Sequence, residues 1–322
     1  GFEMEFYVLQ PDADAPGGYG PLRIPSHRAN GVGIGGDNTG LTFDMFDAAE
    51  AARLDLEGVM SEFHPGQMEL NMRYGPALDA ADRAFICKEM TRELAAARGY
   101  RVTYMGRPIA GYMGSGMHIN VSLGRVGGGH NGFDDPSAEW GLSSLARQCM
   151  GGLIAHHQGI AALSAPTINS YKRLSPDIMA GYWATWGLDN RISTYRVPGQ
   201  RGAATRIENR MPCAAANPYL AAAVTLNAAL LGVVDGLDCG APQTGPWVRA
   251  RGRTIQHTPH TLWDALDAFE ADEVLGEAMG ADLTRCFLAI RRDEVARWHA
   301  AGNGWTLSAN TPWEMEEYLP FH

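Results

Sequence analysis

The chain opens on an alternation. Phe2, Met4 and Phe6 fall on one side of an extended segment, with Glu3 and Glu5 on the other, because successive side chains of a strand point to opposite faces. The same period recurs at 67–74, where Met68, Leu70 and Met72 oppose Gln67, Glu69 and Asn71. It recurs again at 117–123, where Met117, Ile119, Val121 and Leu123 oppose His118, Asn120 and Ser122. In 204–210, Arg206, Glu208 and Arg210 share a side. Shorter strand patterns lie at 59–63 and 101–105. Helical periodicity predicts helices over 42–58, 77–99, 142–164 and from Pro218 onward, and the last third continues as an amphipathic stretch over 261–299. Residues 11–40 are crowded with Gly, Pro, Asn and Asp and predict a long irregular excursion, and 240–246 is a Gly/Pro-rich break. The mixture predicts an α+β arrangement: an antiparallel sheet with helices packed on one face, in one domain.

Composition narrows the function classes. The 322 residues are 45% apolar, enough for a sizeable core, and Asp plus Glu outnumber Lys plus Arg by 36 to 26. A net charge of -10 opposes association with nucleic acid or an anionic membrane and suits a bound divalent cation. Five widely spaced cysteines contain no CxxC pair, so neither a disulfide framework nor a zinc ribbon is expected. The longest apolar stretch, 220–234, is shorter than the roughly 20 residues a membrane span requires. With no export signal read ahead of the first strand, a cytoplasmic location is the expectation.

The polar faces carry the chemistry. A lone Glu-x-Glu is a weak signal, because one face of an antiparallel sheet is often solvated. Here four strands present carboxylates, an imidazole and arginines with almost no routine surface filler. Carboxylates brought together repel one another and demand a counter-charge. Oxygen-rich ligation favours Mg²⁺ or Mn²⁺, and one imidazole is compatible with Mn²⁺. Arg173, Arg191, Arg196, Arg201, Arg206 and Arg210 crowd one segment, and guanidinium forks match phosphate and carboxylate oxygens. Metals beside arginines point to phosphoryl transfer. There is no Walker-type loop and no Gly-x-Gly-x-x-Gly after a strand, so the nucleotide site is of another kind. His156 and His157, adjacent on a helix, are read as packing residues, and Cys213 has no visible base partner.

Several segments together resemble the glutamine synthetase family. They are Gly1-Phe-Glu-Met-Glu-Phe6, Glu62-Phe-His-Pro-Gly-Gln-Met-Glu69, Gly114-Ser-Gly-Met-His-Ile-Asn-Val-Ser-Leu123, Asn169-Ser-Tyr-Lys-Arg-Leu174, and the stretch from Asp189 through Arg210 into Ala216-Asn-Pro-Tyr-Leu-Ala221. The resemblance covers 1–322 as one catalytic domain with a curved antiparallel sheet and helices on its outer face, and leaves no residues for the family's N-terminal β-grasp domain. It implies that Glu5, Glu62 and Glu69 hold one divalent ion and Glu3, His118 and Glu208 a second. Arg173 and Arg210 would hold the carboxylates of glutamate, with Gly114 and His118 nearby. Arg191, Arg196 and Arg206 would face the ATP phosphates, and Asn120 and Ser122 would lie along the nucleotide. Arg191, Glu208 and Arg210 are the catalytic candidates. The implied reaction makes an acyl phosphate from ATP and the γ-carboxylate, then an amide, in a homo-oligomeric and ring-forming enzyme.

The sequence departs from ammonia-using members. Met179 stands near the position of their flap glutamate, with Asp177 the carboxylate close by, and Met113 replaces an asparagine. An alkylamine or polyamine acceptor would use apolar surface from Met113, Met179, Tyr182, Trp183 and Trp186. The rival readings are a guanidino-kinase-like phosphotransferase and a non-catalytic assembly relative that binds metal and nucleotide.

Overall fold

The computed structural model describes residues 1–24, 27–31, 36–176, 178–245 and 255–322; Asp177 and parts of the 11–40 excursion and the 240–246 break lie outside them. Among the described residues nine strands form one sheet: β1 (Phe2–Pro11), β2 (Tyr19–Pro21), β3 (Leu56–Ser61), β4 (Gln67–Met72), β5 (Arg101–Thr103), β6 (Met117–Val121), β7 (Trp183–Leu188), β8 (Ser193–Val197) and β9 (Ile207–Asn209). The main path runs β3-β4-β1-β6-β9-β8-β7, and β2 and β5 also pair with β1. The β7–β8 pair is parallel; the other pairs are antiparallel. The helices are α1 (Leu41–Ala52), α2 (Ala77–Ala97), α3 (Ser144–Ala155), α4 (His157–Ser164), α5 (Pro218–Val234), α6 (Leu262–Ala271), α7 (Glu273–Met279), α8 (Ala281–Ala300) and α9 (Pro312–Tyr318).

The alternation read from the sequence sets which face of the sheet is covered. Phe2, Met4, Phe6, Met68, Leu70, Met117 and Ile119 enter one core with Leu41 and Met45 of α1 and Ala80, Ala84 and Cys87 of α2. Each such side chain contributes about 1.5–3 kcal/mol when fully buried, so the register is strongly specified. Glu3, Glu5 and Glu69 are turned to the opposite, partly open face. A second core joins Tyr7 and Leu9 of β1, Trp186 of β7 and Tyr195 of β8 to α3 through α6 and beyond. Through Phe6–Leu9 both faces of β1 are therefore buried.

Several boundaries differ from the sequence expectation. The helix expected over 42–58 stops at Ala52, because Arg53 and Asp55 adopt positive φ angles of 57° and 50° and Leu56 then starts a strand. The single helix expected over 142–164 breaks at His156, whose Nδ1 lies 2.8 Å from the Asp272 carboxylate. His157, buried, sits 3.1 Å from the Tyr195 hydroxyl and 3.0 Å from that of Thr258, a packing role as expected. The excursion carries a short turn at Pro16–Gly18 and the strand β2. The strands β7 and β8 were not expected, since their residues lack a two-residue alternation and both faces of Trp186 and Tyr195 are covered.

The far end of the chain is tied to the middle by an enclosed ion pair. Lys172 Nζ lies 2.6 Å from Glu314 Oε2, with both side chains almost fully buried, and the other Glu314 oxygen accepts from Asn169 Nδ2 at 3.2 Å. Removing one partner of a buried pair costs about 3–5 kcal/mol, because the other charge is left uncompensated. Glu314→Ala is expected to lower unfolding free energy by about that much in urea titrations; a loss under about 1 kcal/mol would show that the pair is solvated.

Candidate active site

Strand register assembles the site. Glu5 lies opposite Glu69 and Glu3 opposite Asn71 across β1–β4; Glu3 lies opposite His118 across β1–β6. Asn120 is opposite Glu208 across β6–β9, and Glu208 is opposite Arg196 across β9–β8. Directly opposed residues share a face with Cβ atoms about 4.5–5.5 Å apart. Glu62 follows β3, its backbone N–H donating to Gln67 O at 2.8 Å across the turn, and it lines the same cavity as Glu69.

Backbone glycines admit this crowding. Gly116 N–H donates to Glu5 Oε2 at 2.8 Å and Gly116 O accepts from Glu5 N at 2.9 Å. A Cβ at Gly116 would stand 2.4 Å from Arg173 Nη2 and 2.9 Å from His118 Nε2. At Gly114 it would stand 2.6 Å from both Arg173 Cγ and Gly106 O. Side chains at either position would push the arginine or imidazole out of place.

One oxygen each of Glu3 and Glu208 and a ring nitrogen of His118 lie within 4.8 Å of one another. His118 Nδ1 is 3.4 Å from Glu3 Oε2 and 3.6 Å from Glu208 Oε1. Two carboxylates and an imidazole at this spacing fit Mg²⁺ or Mn²⁺. Glu5, Glu62 and Glu69 line the same cavity of about 290 Å³. The two halves differ electrostatically. Burial works against ionising Glu3, but hydrogen bonds with His118 and Asn120 outweigh it and bring its carboxyl down to about 2. Burial, reinforced by the charges of Glu5, Glu3 and Glu62, pushes Glu69 up to about 8. Burial and Glu5 also raise Glu62. Such a half retains protons that a divalent cation displaces.

Arginines enclose the other half. Glu208, fully buried, pairs with both Arg196 and Arg210. Arg196 also holds Asp189 Oδ1 at 2.5 Å, and Arg206 Nε donates to Asn120 Oδ1 at 3.0 Å. Arg191 is exposed and lines the cavity. Arg173 lines it too, but its Nη1 donates to Met211 O at 2.9 Å and its Nη2 to Arg210 O at 3.1 Å. Arg210 Nε is buried with no hydrogen-bond partner among the described residues. A second cavity of about 560 Å³ contains Asn120, Ser122 and Arg206 and shares Glu3, Glu69, Arg191 and Arg196 with the first.

A family model described as glutamine synthetase, catalytic domain, matches residues 1–318. The chain belongs to the glutamine synthetase family. The glutamine synthetase of Thermus thermophilus is 36% identical over 285 residues, covering 86% of this chain and 61% of that protein. That of Thermotoga maritima is 33% identical over 336 residues, covering 99% and 71%. Among solved structures, the GmaS/ADP complex superposes with a TM-score of 0.81 at 31% identity, over 99% of this chain and 72% of that one. GmaS without ligand gives 0.80 at 33% identity, over 98% and 70%. The chain thus spans 61% to 72% of the length of these relatives.

All six acidic or imidazole candidates face one cleft of this glutamine synthetase-type sheet, with Gly114 and Arg173 beside them. Three contributors were missed. Gly116 fixes Glu5; its place inside the quoted Gly-Ser-Gly-Met-His motif was the available signal. Asn71 donates to Glu69 Oε1 at 3.0 Å, and Asp189 braces Arg196; Asn71 was legible as a member of the β4 polar face. The aromatic expectation needs correction. Trp186 is core, packed at 5.1 Å against Trp140, and Tyr182 is buried, stacked on His257, so neither offers surface to an acceptor. Cys213 is buried and free.

The electrostatics predict a pH-dependent response to metal. Glu69 holds its proton up to about 8 in the folded chain against an ordinary 4.5. Protonation thus favours the folded state, a contribution fully present below about pH 4.5 and lost as pH rises through 8. Mn²⁺ restores what is lost, so its stabilisation in thermal melts is expected to grow from pH 6 to pH 8.5. Glu69→Gln should flatten that growth; an unchanged slope in the variant would rule out Glu69 as the titrating group.

Proposed function

We propose that this chain is the catalytic part of an ATP-dependent ligase that joins the γ-carboxylate of glutamate to ammonia or a primary amine. The observation that carries the reading is the junction of the two cavities: Glu3, Glu69, Arg191 and Arg196 belong to both. A nucleotide in the larger cavity thus presents its terminal phosphate to an acid in the smaller one, over the acidic cluster. A relative solved as an ADP complex supports this placement.

In this reading Asn120, Ser122 and Arg206 bind along the nucleotide, and Arg191 and Arg196 neutralise charge on the transferring group. Glu3, His118 and Glu208 hold one Mg²⁺ or Mn²⁺, and Glu5, Glu62 and Glu69 a second. Bound there, divalent ions neutralise phosphate oxygens and lower the barrier to in-line transfer. Arg210, which lines the acid cavity, anchors a substrate carboxylate, with Gly114 and His118 alongside, while Arg173, its Nη groups committed to backbone carbonyls, supplies positive field. The γ-carboxylate oxygen attacks the terminal phosphorus, the bond to ADP breaks, and γ-glutamyl phosphate forms. The amine nitrogen then attacks the acyl carbon, the carbon–oxygen bond to phosphate breaks, and the surplus proton leaves with phosphate.

A guanidino-acceptor phosphotransferase is disfavoured by the match of residues 1–318 to the glutamine synthetase catalytic domain. The assembly-only reading is disfavoured by the intact donor set. A single catalytic domain over 1–322, a homo-oligomeric ring and a cytoplasmic location belong to the same proposal and rest on family membership. No helix among the described residues is long and apolar enough to cross a membrane.

The test is ADP release with ATP, glutamate, Mn²⁺ and a mixed amine pool, with the amide identified by mass spectrometry. Glu208→Gln is expected to reduce turnover by about 100-fold or more, the scale of losing a preorganised electrostatic group. ADP formation that is independent of glutamate would sink the ligase assignment.

A further inference from the structure

We infer that His64 is a positioning residue for the acid substrate: its ring nitrogen holds the backbone at Met113 and so sets where the Gly114 amide stands in the acid cavity. This rests on the ligase reading and adds to it the group that keeps the acid-binding backbone in place. Met113 and Gly114 both line the acid cavity. They lie between β5 and β6, in a stretch where no strand or helix spans 106–115, so contacts from neighbouring elements must fix it. Met113 N–H donates to His64 Nδ1 at 3.2 Å, and Met113 O accepts from the Tyr7 hydroxyl at 2.8 Å. Gly114 O accepts from Gln67 Nε2 at 3.2 Å. His64 stands in the β3–β4 turn and Gln67 begins β4. The chain that carries Glu62 and Glu69 thus also grips the backbone beside the acid.

Gly114 needs this support. A Cβ there is excluded by Gly106 O and Arg173 Cγ, each 2.6 Å away, so the position must be glycine, and glycine brings the widest backbone freedom of any residue. Contacts on its neighbours therefore have to supply the rigidity that its own side chain does not. The two peptides that flank Met113 are held separately. His64 accepts from the N–H of the first, whose carbonyl, on Tyr112, accepts from Arg107 Nε at 2.9 Å. Tyr7 donates to the carbonyl of the second, which also carries the Gly114 N–H. Acceptance from a peptide N–H requires an unprotonated Nδ1, so the His64 proton sits on Nε2. The ring is oriented for this by stacking on Tyr112, with centroids 4.3 Å and planes 22° apart. Loss of the Nδ1 acceptor frees the first peptide to turn, and the Gly114 amide moves with it. Small displacements of this kind weaken substrate positioning even where the displaced group never reacts.

The experiment uses the full-length protein and follows ADP release with ATP, glutamate and Mn²⁺, with ammonia and methylamine in parallel as acceptors. His64→Phe keeps a ring against Tyr112 and removes the acceptor; His64→Asn keeps an acceptor near the place of Nδ1 and removes the ring. His64→Phe is expected to raise KM for glutamate about tenfold, the scale of one lost hydrogen bond. Its kcat and its KM for ATP should stay within about twofold, the pattern of lost ground-state binding. His64→Asn should hold KM for glutamate within about threefold, because the acceptor is restored. Tyr7→Phe deletes the hydroxyl at Met113 O and should raise the same KM about fivefold. Combined with His64→Phe it should fall short of the product of the two effects, since both hold one residue. An unchanged KM for glutamate in His64→Phe, a rise in His64→Asn as large as in His64→Phe, or a loss confined to kcat overturns the inference and leaves the ligase reading intact. Thermal melts accompany each variant. Where His64→Phe does not fold, Tyr7→Phe decides in its place: the rise supports the inference and an unchanged KM overturns it. Glutamate-independent ADP release by the unsubstituted protein, or none with either acceptor, overturns the ligase reading and the inference with it.

Discussion

The pairing of β1 between β4 and β6 governs everything built on the sheet. It sets Glu3 beside His118 and Glu5 beside Glu69, while Phe2, Met4 and Phe6 enter the core beneath α1 and α2. A slip of one residue would exchange the two sets, sending carboxylates into hydrocarbon and methionines into the cleft. The hydrophobic effect on the covered face is thus what enforces an electrostatically unfavourable arrangement on the open one. The cleft contributes little to stability itself; its geometry is held by residues that never touch a substrate.

The two halves of the acidic cluster meet repulsion in different ways. On the β6–β9–β8 side, Glu208 is flanked by Arg196 and Arg210, and Glu3 is hydrogen-bonded with His118 and Asn120, so charge there is compensated by protein groups. On the β1–β4 side, Glu5, Glu62 and Glu69 face one another, and Glu62 and Glu69 answer by retaining protons. The compensated side adjoins the cavity of about 560 Å³ that Arg191, Arg196 and Arg206 line. The uncompensated side has the greater demand for an external cation. Asymmetry of this kind follows from where the arginines enter: they come from the chain between β7 and α5, which lies beyond β6 in the sheet.

Much of this was legible in the residues. The two-residue alternation of 2–6, 67–72 and 117–121 survives intact in β1, β4 and β6, because each has one apolar and one polar face and periodicity reports that contrast directly. The strands β7 and β8 escaped because Trp183-Ala-Thr-Trp-Gly-Leu188 and Ser193-Thr-Tyr-Arg-Val197 do not alternate strictly between apolar and polar residue types, although burial alternates through Trp183, Ala184, Thr185 and Trp186. Helix ends were misjudged where backbone conformation decided them: nothing in the apolar pattern marks Arg53 and Asp55 as positive-φ residues. The acidic ligand candidates were found as strand-face residues, whereas Gly116 acts through its N–H and its lack of a Cβ, which composition cannot display. Tyr182 and Trp186 show the converse error, since an aromatic side chain in sequence does not reveal whether it faces a pocket or a core.

The division of labour between strands and connections explains why chemistry and selectivity can vary separately. Groups proposed to act on phosphate sit on or directly beside paired strands, where displacing one shifts its neighbours in register. The apolar residues lining the acid cavity come mainly from connections: Phe63 from the β3–β4 turn, Met113 from the approach to β6, Ile178 and Met179 from the approach to β7. Loop side chains are constrained by fewer ladder hydrogen bonds and tolerate exchange. Met179 illustrates the point, for its carbonyl accepts from Arg210 Nη2 at 3.1 Å whatever its side chain is. The backbone there serves Arg210, the arginine proposed to bind the acid, and the side chain is left to line the cavity beside it. A carboxylate at that position would favour a small cation, whereas a thioether favours hydrocarbon, so acceptor choice can change without disturbing the acidic cluster.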